Sequence, residues 1–529
     1  MKPLLPGLAR TARPEEIHAR RYLIAITVTL ATVLLTLDVT IVSVAVPSMM
    51  GNLGATLDEI AWVTTGFILA SVIVLPISSW LGDWFGRRNY FSLSVLAFTI
   101  ASVMCGMSSS LEGLVFWRVV QGMAGGGLVS SAQVALIDSF PPREVGIGMA
   151  IWGTGLMLGP AIGPPLGGWL TETLSWPWIF YVNLPVGGLA LVLALMYVPD
   201  SPTAKKPPRV DFAGLLLLAA GVGCLQALLE RGEHLDWLAS REIVAYCMVC
   251  PLALALLAWH ELRCPHPVVN VRVFANRQFT VSMLLMAMVG LAGTTYIFAF
   301  PVLLQTIHGY NAAQAGMAIM PFMLGSILGF IVAGKLSSMP GLDLRWLVTA
   351  GALLAGLGYW EHSYLTGDSS AADFIVPQLC LGLGQPLGLL AMTALSTATL
   401  RHDQVPGGNG LINFARQLGG SLGVALFATS VAHFHGTSRG ELIRHVSLFA
   451  DAASARLAMF RELLLSQGTP LAVAPRKALM LLDMQVNLQA QIVAFNQTMA
   501  VFALAVAGVV LAIPFLTTGH ASSGAGPNH

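Results

Sequence analysis

The sequence predicts an all-α membrane protein of fourteen spanning helices. Three observations carry that prediction. Charged residues are 10% of the 529-residue chain and apolar residues 55%, whereas soluble domains are roughly 25% charged. Fourteen apolar stretches approach the 20 or so residues that a helix needs to cross a bilayer. The basic residues of the short loops fall mainly in every other loop, and so on one side, as the positive-inside rule requires.

The expected spans are 22–46, 59–81, 90–108, 112–135, 146–169, 177–198, 212–230, 242–260, 279–303, 314–334, 346–363, 372–397, 408–431 and 492–517. Arg10, Arg13, Arg20 and Arg21 precede the first run. That run is too long for the apolar region of a signal peptide, so it reads as a start-transfer helix that stays in the protein. With the N-terminus inside, the inside loops carry Arg87 and Arg88, Arg143, Lys205, Lys206 and Arg209, Arg263, Arg272 and Arg277, Lys335 and Arg345, and Arg401. The short outside loops carry only Arg231 and Arg241. An even number of spans with both termini inside follows.

One outside segment, 432–491, is long and basic. Long translocated segments do not count toward the charge rule. Its apolar residues, among them Leu442, Ile443, Leu457, Phe460 and Leu464, recur at helical spacing. After Pro475 no helix breaker occurs until Gly508, so 476–517 is expected as one helix that projects outside before entering the membrane. Gln485, Asn487, Gln489 and Gln491 make its outer part amide-rich, as either a solvated face or a docking surface.

The fifth span, Gly153 to Gly168, is dense in Gly and Pro. A soluble helix would lose about 1 kcal/mol per Gly and about 3 per Pro. In a membrane bundle, small residues let backbones approach, and neighbours satisfy the groups that Pro frees. The expectation is a helix interface and a bending point, packed against a helix of the opposite half.

Ionisable groups inside spans are expensive and mark function or helix pairing. Asp38 lies in the first span, Arg118 in the fourth and Arg416 in the thirteenth. Asp38 reads as a protonatable carboxylate or as half of a fixed ion pair. Arg118 does not release a proton at working pH, so it either tunes a carboxylate partner or pairs two helices. Arg416 reads as bundle packing or as lining of a path. Gln121, Gln133, Gln226 and Gln385 add polar groups at membrane depth. Met283, Met286, Met288, Phe298 and Phe300 read as pocket lining or as core and lipid-facing residues. In the loop Ser79 to Asn89, Gly82 and Gly86 permit a tight turn, Asp83 can meet a helix N-terminus or a basic neighbour, and Arg87 and Arg88 anchor one side.

Several classes fall away. A net charge of +1 gives no bias toward nucleic acid. No phosphate-binding loop of the Walker A kind and no nucleophile–base constellation is present, so an enzyme is not expected. Five of the six Cys lie in apolar spans and read as small buried hydrophobes. Cys247 and Cys250 have no second pair nearby, and His433 and His435 read as solvated, so no metal is expected.

Four motifs and one further stretch resemble the major facilitator superfamily, in the fourteen-span drug:proton antiporter family of the EmrB/QacA type. Leu37 to Pro47 resembles the first-helix signature L-D-x-T-I-V-n-v-A-l-P. Ser79 to Arg88 resembles the loop motif G-x-L-a-D-x-x-G-r-[kr], with Ser79 in place of its first Gly. Arg118 to Gly122, with Gly125 and Gly126, resembles R-x-x-q-G-x-g-a. Gly155, Gly159, Pro160, Gly163, Pro164, Gly167 and Gly168 resemble the antiporter motif g-x-x-x-G-P-x-x-G-G, with an extra Pro165-Leu166. Trp176 to Gly187 matches a stretch typical of the family's sixth helix. Gly334 to Gly341 echoes the loop motif, but Ser338 stands where Asp83 does.

The resemblance implies two six-helix bundles with two helices inserted between them. The expected organisation is a cytoplasmic tail (1–21), a six-helix bundle (22–198), a linker with two additional spans (199–278), a second bundle (279–517, including 432–491) and a cytoplasmic tail (518–529). It implies proton antiport without a cofactor, driven by the proton motive force. Asp38 and Arg118 would couple the proton. Gln121, Gln133, Gln385, Asn413 and Arg416 would line the substrate path. Asp83, Gly86, Arg87 and Arg88 would form the gating loop. Substrates would be lipophilic or amphiphilic drugs and toxic compounds. The expected setting is a bacterial inner membrane, in contact with lipid, with a periplasmic membrane-fusion adaptor and an outer-membrane channel as partners. A dedicated exporter of an endogenous metabolite or siderophore would carry the same motifs.

Overall fold

The computed structural model describes residues 14–141, 144–199, 211–233, 235–265, 267–339, 341–401, 404–445 and 451–516. The N-terminal tail up to Arg13, the basic loop residues Arg143, Lys205, Lys206 and Arg209, and the tail 518–529 lie outside them. Among the described residues the chain is helical, with no strand.

Six helices make the first half: α1 (Pro14–Leu53), α2 (Asp58–Phe85), α3 (Arg87–Gly106), α4 (Leu111–Ser139), α5 (Val145–Thr173) and α6 (Trp178–Tyr197). Two more, α7 (Phe212–Arg231) and α8 (Arg241–Arg263), form a hairpin. The second half holds α9 (Arg277–Ile307), α10 (Gln314–Ser337), α11 (Leu344–His362), α12 (Ile375–Thr397), α13 (Val405–His445), α14 (Asp451–Ser466) and α15 (Ala474–Ala507).

Twelve of these helices, among the described residues, are long and apolar enough to cross a membrane. The other two predicted spans fall on α11 and α13. These helices pack along α12 and α15, and along α9 and α15.

Short-range chemistry sets the helix ends. Ser110, Asp211 and Asn276 cap α4, α7 and α9 by accepting from backbone N–H groups three residues on, and Asn311 and Gln314 form a reciprocal box before α10. Gly86, at φ 83°, breaks the chain between α2 and α3 in a backbone conformation that disfavours any side chain. Asp211 also faces His260 Nε2 at 2.9 Å, joining the ends of α7 and α8. Pro321 has no N–H, so it interrupts the ladder of α10. Gln378 of α12 fills that break, accepting from the Phe322 N–H at 3.1 Å and donating to the Ala318 carbonyl at 2.9 Å.

The fifth helix departs in part from its expected role. Gly155, Gly159, Gly163 and Gly167 recur every four residues and face α1 of the same half. Cβ atoms there would strike Thr29, Thr36, Thr40 and Ile41 at 2.0 to 2.7 Å. A four-residue ladder of glycines lies on one face of a helix, so it lets one neighbour in closely. The opposite half is met by a different set. A Cβ on Gly334 of α10 would lie 2.5 Å from the Gly146 carbonyl oxygen, Gly153 receives the Phe330 ring, and Gly316 rests on Pro164. The halves also meet where Gly410 of α13 approaches the Leu75 carbonyl of α2.

The long segment after α13 is a helical projection. The 41 residues of α13 span about 60 Å at 1.5 Å each, twice the bilayer core of about 30 Å. α14 folds back on α15. Two of the four amides bond within the projection: Asn487 with His435 at 2.9 Å, and Gln485 with Arg456 Nε at 3.2 Å. Arg439 pairs with Asp483 at 2.7 Å.

The α5–α10 crossing gives a test. Gly→Ala raises helix propensity by about 1 kcal/mol, whereas overpacking a tight contact costs about 1–3 kcal/mol. Gly334→Ala should lower the thermal midpoint of the purified protein, because backbone lies on both sides of the contact. Gly436→Ala, with open space around it, should raise the midpoint slightly. A rise at both positions would mean the crossing is loose.

Candidate functional site

Asp38 is placed by α1 and turned into its own half, fully buried. Arg118 of α4, also fully buried, donates from Nη1 to Asp38 Oδ2 at 2.5 Å and to Gln121 Oε1 at 2.8 Å. Its Nε donates to the Val63 carbonyl of α2 at 3.0 Å, and its guanidinium lies 4.3 Å from the centre of the Phe67 ring. Asp38 Oδ1 accepts from Gln121 Nε2 and from Asn183 Nδ2, both at 2.8 Å. Asn183 also donates to Ser102 Oγ at 2.9 Å, and Ser102 donates to the Phe180 carbonyl at 2.9 Å. Five helices (α1, α2, α3, α4 and α6) thus share one polar network in an apolar interior.

Lone charges at this depth would be prohibitive, and the pair is tolerable because both Asp38 oxygens and the Arg118 Nε and Nη1 groups have hydrogen-bond partners. Removing one partner strands the other. Asn183 and Ser102 were not picked out by the sequence reading. Asn183 sits inside the Trp176–Gly187 stretch, so its position was visible, but a single Asn near a helix start carries no signal of its target.

The polar residues expected on the substrate path separate into three places. Gln121 belongs to the Asp38 network. Gln133 of α4 accepts from Asn413 Nδ2 of α13 at 2.6 Å, a buried hydrogen bond between the halves. Gln385 and Arg416 line a cavity of about 120 Å³ between the halves. Leu156, Met157 and Pro160 of α5 form one wall, and Ile297, Phe330 and Leu389 the other. Thr36 lines the cavity, while Asp38, two residues on, does not. At 100° per residue, two steps take a side chain to the far face of α1. None of Met283, Met286, Met288, Phe298 and Phe300 reaches the cavity. Met286 and Phe300 are core, and Phe298 is exposed.

At the Gly86 turn, Arg87 pairs with Asp138 of α4, and Arg88 donates to the Leu195 carbonyl of α6. Asp83 has Arg87 as its charged neighbour. Among the described residues its carboxylate accepts no hydrogen bond from the start of α13, although α13 lies against this loop through Gly407 and Ser79. Among the described residues the second half has no fully buried counterpart of the ion pair. At the level of α9 and α11 its core is aromatic, around His362. There Nδ1 meets the Gly358 carbonyl at 2.7 Å and Nε2 meets the Tyr296 hydroxyl at 3.0 Å.

Two helical halves with a cavity between them near mid-helix are the architecture of a secondary transporter. The match to known proteins agrees. The Major Facilitator Superfamily model matches residues 28–424. The chain is 32% identical over 452 residues to the multidrug export protein EmrB of Escherichia coli strain K12, covering 85% of this chain and 88% of that one. It is 30% identical over 437 residues to the fatty acid resistance protein FarB of Neisseria gonorrhoeae, covering 83% and 86%. Among solved structures, the human organic anion transporter MFSD10 aligns with TM-score 0.54 at 14% identity over 92% of this chain and 99% of that one. An inward-facing bacterial homologue of the lysosomal transporter Spinster aligns with TM-score 0.53 at 19% identity, over 96% and 98%. At those identities the two structures speak to the fold alone. The chain belongs to the Major Facilitator Superfamily and is a multi-pass membrane transporter.

The network predicts strong coupling between its charges. Asp38→Asn should cost about 3–5 kcal/mol by stranding Arg118, and Arg118→Gln a similar amount. The double variant should cost clearly less than their sum, because both charges leave together. Thermal unfolding of the three variants in one detergent measures this. Additive losses would mean that the two side chains act independently.

Proposed function

We propose that this transporter is a proton-coupled exporter of lipophilic and amphiphilic compounds across the bacterial inner membrane. The observation that carries the proposal is the sealed contact of Asp38 with Arg118, one carboxylate and one cation locked together inside a half that must move. Relatives that match along most of the chain are multidrug export proteins. The basic-loop pattern supports fourteen spans with both termini inside, and α11 and α13 then complete the count.

In this mechanism a proton from outside neutralises Asp38. The Arg118 contact weakens, and with it the hold on α1, α2, α3, α4 and α6. The first half shifts against the second, and the cavity exchanges sides. Loss of the proton inward restores the pair. The Gly146–Gly334 crossing and the Gln133–Asn413 bond are the joints that would part and re-form. Leu156, Met157 and Pro160 line the cavity, which supports a role for the antiporter-motif helix in changing its shape.

The projection of α13, α14 and α15 is the surface for a periplasmic adaptor, and through it an outer-membrane channel. Exposed Met459, Leu463, Leu479, Met480 and Met484 support this reading, because they give the projection apolar surface.

Proteoliposome transport under an imposed pH gradient tests the coupling. Export of a lipophilic dye should follow the gradient in the parent and in Asp38→Glu, and should lose that dependence in Asp38→Asn. Full gradient dependence in Asp38→Asn would remove Asp38 from the mechanism. For the partner, pull-down from the native host should recover an adaptor with the full chain and lose it when 440–490 is trimmed.

A further inference from the structure

We infer that the preferred substrates are amphiphilic organic anions, a carboxylate or sulfonate on an apolar body, and that Arg416 receives the acidic group. The inference rests on the export reading and adds the charge of the cargo.

Among the described residues, Arg416 is the only ionisable side chain lining the cavity. Its Nε is buried without a hydrogen-bond partner, and among the described residues its guanidinium makes no hydrogen bond or ion pair. Among the described residues, the charges of Asp38, Arg118 and Glu230 are engaged elsewhere. Asp38 and Arg118 hold each other on the far side of α1. Glu230 of α7 accepts from Gln226 Nε2 at 2.9 Å and from Ser421 Oγ at 3.4 Å. Ser421 lies five residues beyond Arg416 on α13, about 140° around the helix, and so faces α7 rather than the cavity.

A buried cation without a counter-charge is costly. The shortfall is made good by whatever anion enters the cavity. Guanidinium offers a planar fork that matches carboxylate or sulfonate oxygens two at a time. Gln385 stands in the same cavity with its amide oxygen also unpartnered, and it can turn its NH₂ toward an anion. The remaining wall is largely apolar and suits a hydrocarbon or aromatic body. At about 120 Å³ the cavity is slightly smaller than the roughly 150 Å³ that admits benzene in an engineered core. At this size it holds a headgroup or a short segment, and larger bodies require the halves to part.

The test uses a pair of equal size and opposite charge, 4-butylbenzoate and 4-butylbenzylammonium, titrated against the full-length protein in nanodiscs. The parent should bind the anion at least about tenfold more tightly than the cation, the gain expected of one charged hydrogen-bonded pair. Arg416→Gln should lose that preference and bind the cation at least as well as before. Arg416→Lys, with the charge but not the fork, should fall between. Equal binding of both probes by the parent would overturn the inference, as would an Arg416→Gln loss of equal size for both. Should Arg416→Gln fail to fold, the parent and Arg416→Lys still decide. Gradient-driven efflux of a neutral dye by the parent separates the two readings. Its absence, with no gradient-driven efflux of either charged probe, sinks export, whereas efflux with no anion preference sinks only this inference.

Discussion

The contact of Asp38 with Arg118 is the interaction on which the first half depends. A bilayer supplies neither water for stranded charges nor a hydrophobic drive between helices. One ion pair, completed by Gln121, Asn183 and Ser102, therefore has leverage over five helices at once. Taking either charge away leaves the other without solvent. In the proposed mechanism a proton delivered to the carboxylate would act on the same contact, and so would reach the whole half.

The halves differ in how they are held. The first has charge at its centre and a glycine ladder that draws α5 onto α1. The second has an aromatic core around Tyr296 and His362 and close glycine contacts between α10, α11 and α12. Between the halves there are tight crossings at Gly146–Gly334 and Gly410–Leu75 and one buried amide pair, Gln133–Asn413. An interface of this kind joins or separates without repacking either core. The inserted α7 adds a link of another type: Glu230 and Glu233 accept from Ser421 and Thr429 of α13, while Arg231 lies over Trp62 of α2.

Much of this was legible from residue patterns. The helical class, the spans of α1 to α10 and the projecting α15 follow from runs of apolar residues, because length and apolarity are what a membrane selects. Asp38 and Arg118 stood out because charge is rare at that depth. The antiporter glycines stood out for their density. Which neighbour those glycines face was not legible. A four-residue ladder names a face of α5, but only the bundle decides whether α1 or α10 lies on it. Asn183 and Ser102 were missed for a related reason: isolated small polar residues carry no partner in their spacing.

The sequence by itself determined the class of protein, the transmembrane segments and the charges that must find partners, since all three follow from composition and local period. The tertiary structure alone decided which charges are satisfied. Asp38 and Arg118 are 80 residues apart and meet because α1 and α4 share a bundle. Arg416 was as conspicuous in the chain as Arg118, yet among the described residues it opens on the cavity without a partner. Pairing depends on which helix faces lie within hydrogen-bond reach, and that is a property of packing that no local pattern encodes.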